Sequence, residues 1–223
     1  MIGRGAIPDS PDRLDSPRSS KRGEPAWEVA YCFPRQGEWS EQDFLTFESA
    51  NFPVELVDGC LEFLPMPTYN HQRLVRYLFL KLNQAALQTS RGEASFAPCP
   101  IRLWEGRFRE PDLFFLSAER VARGEDPPQG AEIVIEVLSP GPSNRDRDLV
   151  ARRADYARGC IPEYWIVDPE QSTITVLTLD SGDYRVHGLF PSGTVATSVF
   201  LPEFTIDVAE LFASARIAPP AGE

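Results

Sequence analysis

The segment Glu132–Leu138, EIVIEVL, most narrows what this chain can fold into. It is dense in β-branched aliphatic side chains and too short for a typical helix. Ser139-Pro140-Gly141-Pro142 breaks it immediately afterwards. Such a run suits a strand buried on both faces, which demands packed elements above and below it. Yet Glu136 lies inside the run, between Ile135 and Val137. An ionised carboxylate is costly to bury there unless something cationic meets it. The expected class is therefore α/β (α+β), a layered domain whose central strand carries a charge that must be matched.

The flanking pattern fills in the layers. Ser40 followed by Asp43 resembles a capping box, opening a short helix to about Glu48. Val54–Val57 and Cys60–Leu64 around Asp58-Gly59 read as a β-hairpin. From about His71 to Gln88, Leu74, Leu78, Leu82 and Ala85/Ala86 share one face of an amphipathic helix. Strands are expected at Ile101–Trp104 and Pro111–Leu116, joined by a turn around Glu105-Gly106-Arg107. A helix from about Arg145 to Ala157 should end with Gly159 as a left-handed cap. Further strands follow at Tyr164–Val167, Thr173–Leu179 and Tyr184–Phe190, then a last helix near Val208–Ala213.

With 223 residues, 42% hydrophobic and 25% charged, the chain can bury the core of one domain. Residues 1–24 hold three prolines and few large aliphatics, so they are expected to form a flexible tail before a domain over 25–216, with a short tail at 217–223. The formal net charge of −11 disfavours a protein that coats nucleic acid through a broad basic surface, though not one with a local basic cleft. No apolar run approaches the roughly 20 residues that span a bilayer, and no secretory core is visible, so a cytoplasmic protein is expected. Cys32, Cys60, Cys99 and Cys160 lack ligand or disulfide spacing and are expected to be buried and inert.

A second carboxylate, Asp112, opens the strand that continues Leu113-Phe114-Phe115-Leu116. Two acids on neighbouring strands repel unless a divalent metal or a basic residue lies between them. Oxygen-only ligands favour a hard cation, Mg²⁺ or Mn²⁺. Arg102, Arg107 and Arg109 precede Asp112, and Arg145, Arg147, Arg152, Arg153 and Arg158 fall in one later segment. These groups could follow a phosphate backbone, or be spent on salt bridges. His187 is expected at the surface, and Tyr164-Trp165 in the core.

The phrases VELVDGCLEFLPMP, His71, REPDLFF, EIVIEVLSP and DLVARRADYARGCIPEYWIVDP follow one another in that order. Over about 40–213 the chain resembles the Uma-type "putative restriction endonuclease" family, within the PD-(D/E)XK nuclease superfamily. The resemblance implies a restriction-endonuclease-like fold, a mixed central β-sheet flanked by helices, here with an N-terminal hairpin. It implies DNA phosphodiester hydrolysis by metal-activated water, with Asp112, Glu136 and the Val137 carbonyl as metal ligands. Glu55 and His71 match accessory positions, and a homodimer is implied by analogy.

At one place the chain departs from the family pattern. The usual lysine, four residues before Tyr156, is Arg152. Arginine supplies positive charge but cannot shed a proton to act as a general base. The alternative is thus a weakened or inactive nuclease fold that serves as a binding or scaffold module. A third reading is a two-carboxylate hydrolase acting on a sugar bond.

Overall fold

The computed structural model describes residues 20–22, 30, 32–48, 53–139 and 147–215. The C-terminal tail, all but 20–22 of the N-terminal tail and residues 140–146, which include Arg145, lie outside the described residues.

Helix α1 (Glu41–Glu48) opens where Ser40 and Asp43 exchange capping hydrogen bonds. The hairpin β1 (Val54–Val57) and β2 (Cys60–Phe63) turns at Asp58-Gly59, both with positive φ (48° and 78°), as its two-residue turn requires. A Cβ on Gly59 would also sit 2.7 Å from the Gly37 carbonyl oxygen. Helix α2 (Tyr69–Thr89) starts earlier than the periodicity implies, because Thr68 caps it by accepting a hydrogen bond from the His71 amide.

Strand β3 (Gly92–Phe96) follows, then β4 (Ile101–Trp104) and β5 (Arg107–Arg109). Strand β6 (Leu113–Ser117) runs into the short helix α3 (Ala118–Arg123), and β7 (Ile133–Val137) is the strand inside EIVIEVL. A π-helical stretch, Arg147–Arg152, passes into α4 (Arg153–Arg158). Strands β8 (Glu163–Asp168), β9 (Thr173–Asp180), β10 (Asp183–Pro191), β11 (Val195–Thr197) and β12 (Thr205–Asp207) lead to α5 (Val208–Ala215).

The central sheet has six strands in the order β10-β9-β8-β7-β6-β3. Only the β7–β8 pair is parallel, so the sheet is mixed. Leu113, Phe115, Ile133, Ile135 and Val137 face a core shared with α2 and α5. The alternate set, Phe114, Val134, Tyr164 and Ile166, packs on the opposite face with Tyr156 and Ala157 of α4. Glu136 therefore projects toward the α4 layer. A second, antiparallel sheet, β2-β1-β5-β4, forms its own core with α1 around Phe44, Leu56 and Phe108.

Several sequence expectations change. The expected turn is present at Glu105-Gly106, but Arg107 already belongs to a strand, Arg107–Arg109, of the second sheet, and the central strand begins at Leu113 rather than Pro111. Glu110-Pro111-Asp112 is the passage between the sheets, and Pro111 has no N–H to donate to a ladder. The helix before Gly159 is π-wound in its first part. Gly159 ends α4 at φ −73°, and the left-handed position falls on Cys160 at φ 56°. The cysteines are free, as expected, but none is buried: Cys60 and Cys99 are half-buried, and Cys32 and Cys160 exposed.

Candidate active site

The register of β6 on β7 pairs Leu113 with Ile135, so the next step brings Asp112 opposite Glu136 at the end of the ladder. Asp112 Oδ2 accepts a hydrogen bond from the Val137 amide at 2.7 Å, and the Asp112 amide lies 3.5 Å from Glu136 Oε2. His71, on the first turn of α2, reaches the same place. Its Nε2 is 3.2 Å from Asp112 Oδ2 and 3.1 Å from the Val137 carbonyl oxygen. Both neighbours are acceptors at this point, so Nε2 carries the proton and donates.

Glu136 is 1% exposed and is met by the side chains of Tyr156 and Arg152. Tyr156 donates its hydroxyl to Oε1 at 2.6 Å, and Arg152 Nη1 lies 2.7 Å from Oε2. Arg152 and Tyr156 stand four residues apart, one above the other on the helix surface, so both reach the same carboxylate. The other Arg152 nitrogen, Nη2, donates to Glu55 Oε1 at 2.7 Å. Arg152 is thus a fork between two buried acids, one from each sheet.

Glu55, wholly buried on β1, also accepts from Arg109 Nη1 at 2.6 Å and from the Glu110 amide at 2.9 Å. Burial by itself pushes the Glu55 carboxyl up, but Arg152 and Arg109 outweigh it and hold the group below the usual glutamate range. Arg109 continues outward to Glu62 and, through Nε and Nη2, to Asp155. Burial, reinforced by Glu136, pushes the Tyr156 hydroxyl well above its ordinary value, so it stays a donor.

All five sequence-level candidates, Asp112, Glu136, Arg152, Glu55 and His71, belong to this one constellation. Tyr156, Arg109 and Asp155 complete it and were not among them. The four-residue step from Arg152 was the available signal for Tyr156. Arg109 stood out only as one of three arginines ahead of Asp112, because its partners come from strands and helices distant in sequence. Among the described residues, the basic groups around Asp112 do not form a free phosphate track. Arg102 pairs with Glu41, Arg107 with Asp58 and Asp155, and Arg158 lies over the Trp104 ring. Arg153 donates to the Tyr184 carbonyl. His187 is exposed, as expected, and Tyr164 and Trp165 are buried.

His71, Glu110, Asp112, Glu136, Val137 and Arg152 line one cleft of about 80 Å³. Among the described residues no group of three or more His, Cys, Asp or Glu side chains is arranged to hold a metal ion. The donors that do converge are two carboxylates and the Val137 carbonyl, a hard-oxygen set that fits Mg²⁺ or Mn²⁺ rather than a soft metal.

Residues 41–209 match a family described as "Uma2: Putative restriction endonuclease". The chain belongs to the Uma2 family. The match runs from α1 into α5, so every residue of the constellation lies within it. No curated protein is recognisably similar in sequence. Among solved structures, the Uma2 chain is similar to a putative nuclease belonging to DUF820 from Anabaena variabilis, at 18% identity and a TM-score of 0.65. That likeness covers 79% of this chain and 99% of the other, and it shows a shared restriction-endonuclease-like fold. Among the described residues no helix is long and apolar enough to cross a membrane.

Proposed function

We propose that this Uma2 protein is a divalent-metal-dependent endonuclease that hydrolyses DNA phosphodiester bonds at the Asp112–Glu136 cleft. The observation that carries the reading is the strand register, which brings two carboxylates and the Val137 carbonyl to one opening. A hard cation there would polarise a phosphodiester and activate water for attack. The chain's own residues do the rest. Tyr156 and Arg152 fix the orientation of Glu136, the Val137 amide fixes Asp112, and the His71 Nε2 proton faces the oxygens of Asp112 and Val137. A glycosidase-like role fits less well, because both carboxylates are ringed by donors, the setting of two anions rather than of an acid and a base.

One observation favours a second reading, a weakened nuclease fold that binds without cleaving. Arg152 is engaged by two buried carboxylates and cannot give up a proton, so it supplies no general base.

Calorimetric titration of Mn²⁺ tests the site without any choice of substrate. Saturable binding to the wild-type protein, lost in Asp112→Ala, is the expected result. Equal binding by both proteins would overturn the ligand assignment.

A further inference from the structure

The segment joining β2 to α2 forms one wall of the cleft and, on its outer side, an unusual apolar rim. Leu64, Pro65 and Pro67 line the cleft. Between and beside them Phe63, Met66 and Tyr69 are 62%, 81% and 71% exposed. Phe63 rests edge-on against Phe47, which gives the rim a firm base. The Tyr69 ring has the Arg73 guanidinium 5.8 Å from its centroid, two residues from His71 and the cleft.

The helix that leads away from this rim has the opposite charge to that of the whole chain. Helix α2 contains no acidic residue, and it carries Arg73, Arg76 and Lys81, with Arg76 exposed. Its N-terminus, the positive end of the helix dipole, is the end at the cleft. An exposed aromatic ring beside a cationic helix suits a nucleic-acid strand: the ring stacks a base and the cations meet its phosphates. A duplex keeps its base faces inside the stack, where a surface aromatic ring does not reach them.

We propose that Tyr69, with Met66 and Phe63 beside it and Arg73 and Arg76 behind it, is a docking surface for single-stranded DNA or an unpaired stretch within a duplex. The stacked base on Tyr69 places the adjoining phosphodiester at the Asp112–Glu136 cleft. The surface deepens the nuclease reading by naming the substrate class, and it rests on that reading only in taking DNA as the ligand.

The test is fluorescence anisotropy of a short labelled single strand and of its duplex, in chelator, so that binding is measured apart from metal and cleavage. The wild-type protein is expected to prefer the single strand. Tyr69→Ala should weaken that binding roughly tenfold, the loss of one base stack, while Tyr69→Trp retains it. Arg76→Ala should flatten the salt dependence by about 0.7 in log–log slope, one phosphate contact. Tyr69→Ala binding as tightly as wild type would overturn the proposal, as would equal affinity for strand and duplex. So would sedimentation showing that wild-type copies pair through this rim and separate on Tyr69→Ala. Strand binding through Tyr69 without any metal-dependent cleavage would uphold the surface and sink the nuclease reading. Duplex cleavage indifferent to Tyr69→Ala would do the reverse.

Discussion

Arg152 shows how much can turn on one side chain. Its planar fork spans Glu55 on one sheet and Glu136 on the other, each at 2.7 Å, and it is 3% exposed. A lysine has a single ammonium on a flexible stem and can hold one of these acids well, not both in the same fixed geometry. Arg152→Lys should therefore lower stability by about 1.5–3 kcal/mol, one charge-assisted hydrogen bond. It should also raise Mn²⁺-dependent nicking of plasmid DNA, because a single ammonium cannot be held by both acids and is left free to meet a phosphate oxygen or a bound water. Denaturant unfolding and a nicking assay read the two effects separately. A variant that still binds Mn²⁺ but gains no nicking would count against the view that arginine is what restrains catalysis.

At the scale of elements, β3 is held to the sheet by a close approach. It pairs antiparallel with β6, with Gly92 opposite Ser117. A Cβ on Gly92 would run into the Leu116 carbonyl, and the Phe115 ring lies only 2.8 Å away. Gly92→Ala should thus destabilise the protein by about 1–3 kcal/mol through forced displacement of the edge strand. Urea unfolding would measure it, and an unchanged midpoint would show that β3 can shift freely. This strand also illustrates where the sequence was silent. GEASF has neither β-branched residues nor a clean alternation, so nothing in it announces a strand, whereas IVIEV does. Arg107–Arg109 is only three residues long, and its membership of the second sheet depends on pairing with β1, some fifty residues earlier. Glu136 was legible because an acid inside an apolar strand is conspicuous, and Asp112 because it directly precedes one. The Glu55–Arg109 contact was not, because nothing local distinguishes a buried ion pair from two separate surface charges.

Across the whole molecule, the acid–base network acts as a pin between sheets. Glu136 belongs to the central sheet, Glu55 and Arg109 to the second, and Arg152 and Asp155 to the π-helical stretch and α4 that lie between. Removing one member leaves its partners charged and buried, a loss of about 3–5 kcal/mol for a pair of this kind. Glu55 makes that pin sensitive to acid. Its carboxyl is held below the ordinary glutamate range, so the stability it contributes is complete above that range. That contribution is lost as the pH falls from there through the lower folded-state value, where the buried acid takes up a proton and Arg152 and Arg109 lose their anion. Urea midpoints followed downward from neutral pH should therefore fall steeply in acid for the wild-type protein. Glu55→Gln should begin lower at neutral pH and fall less steeply, since its amide does not titrate. Glu62→Gln, at a half-exposed position on the same arginine, should track the wild type closely. Parallel acid slopes for wild type and Glu55→Gln would mean that the two sheets are joined by apolar packing alone, with the ion network a passenger on it.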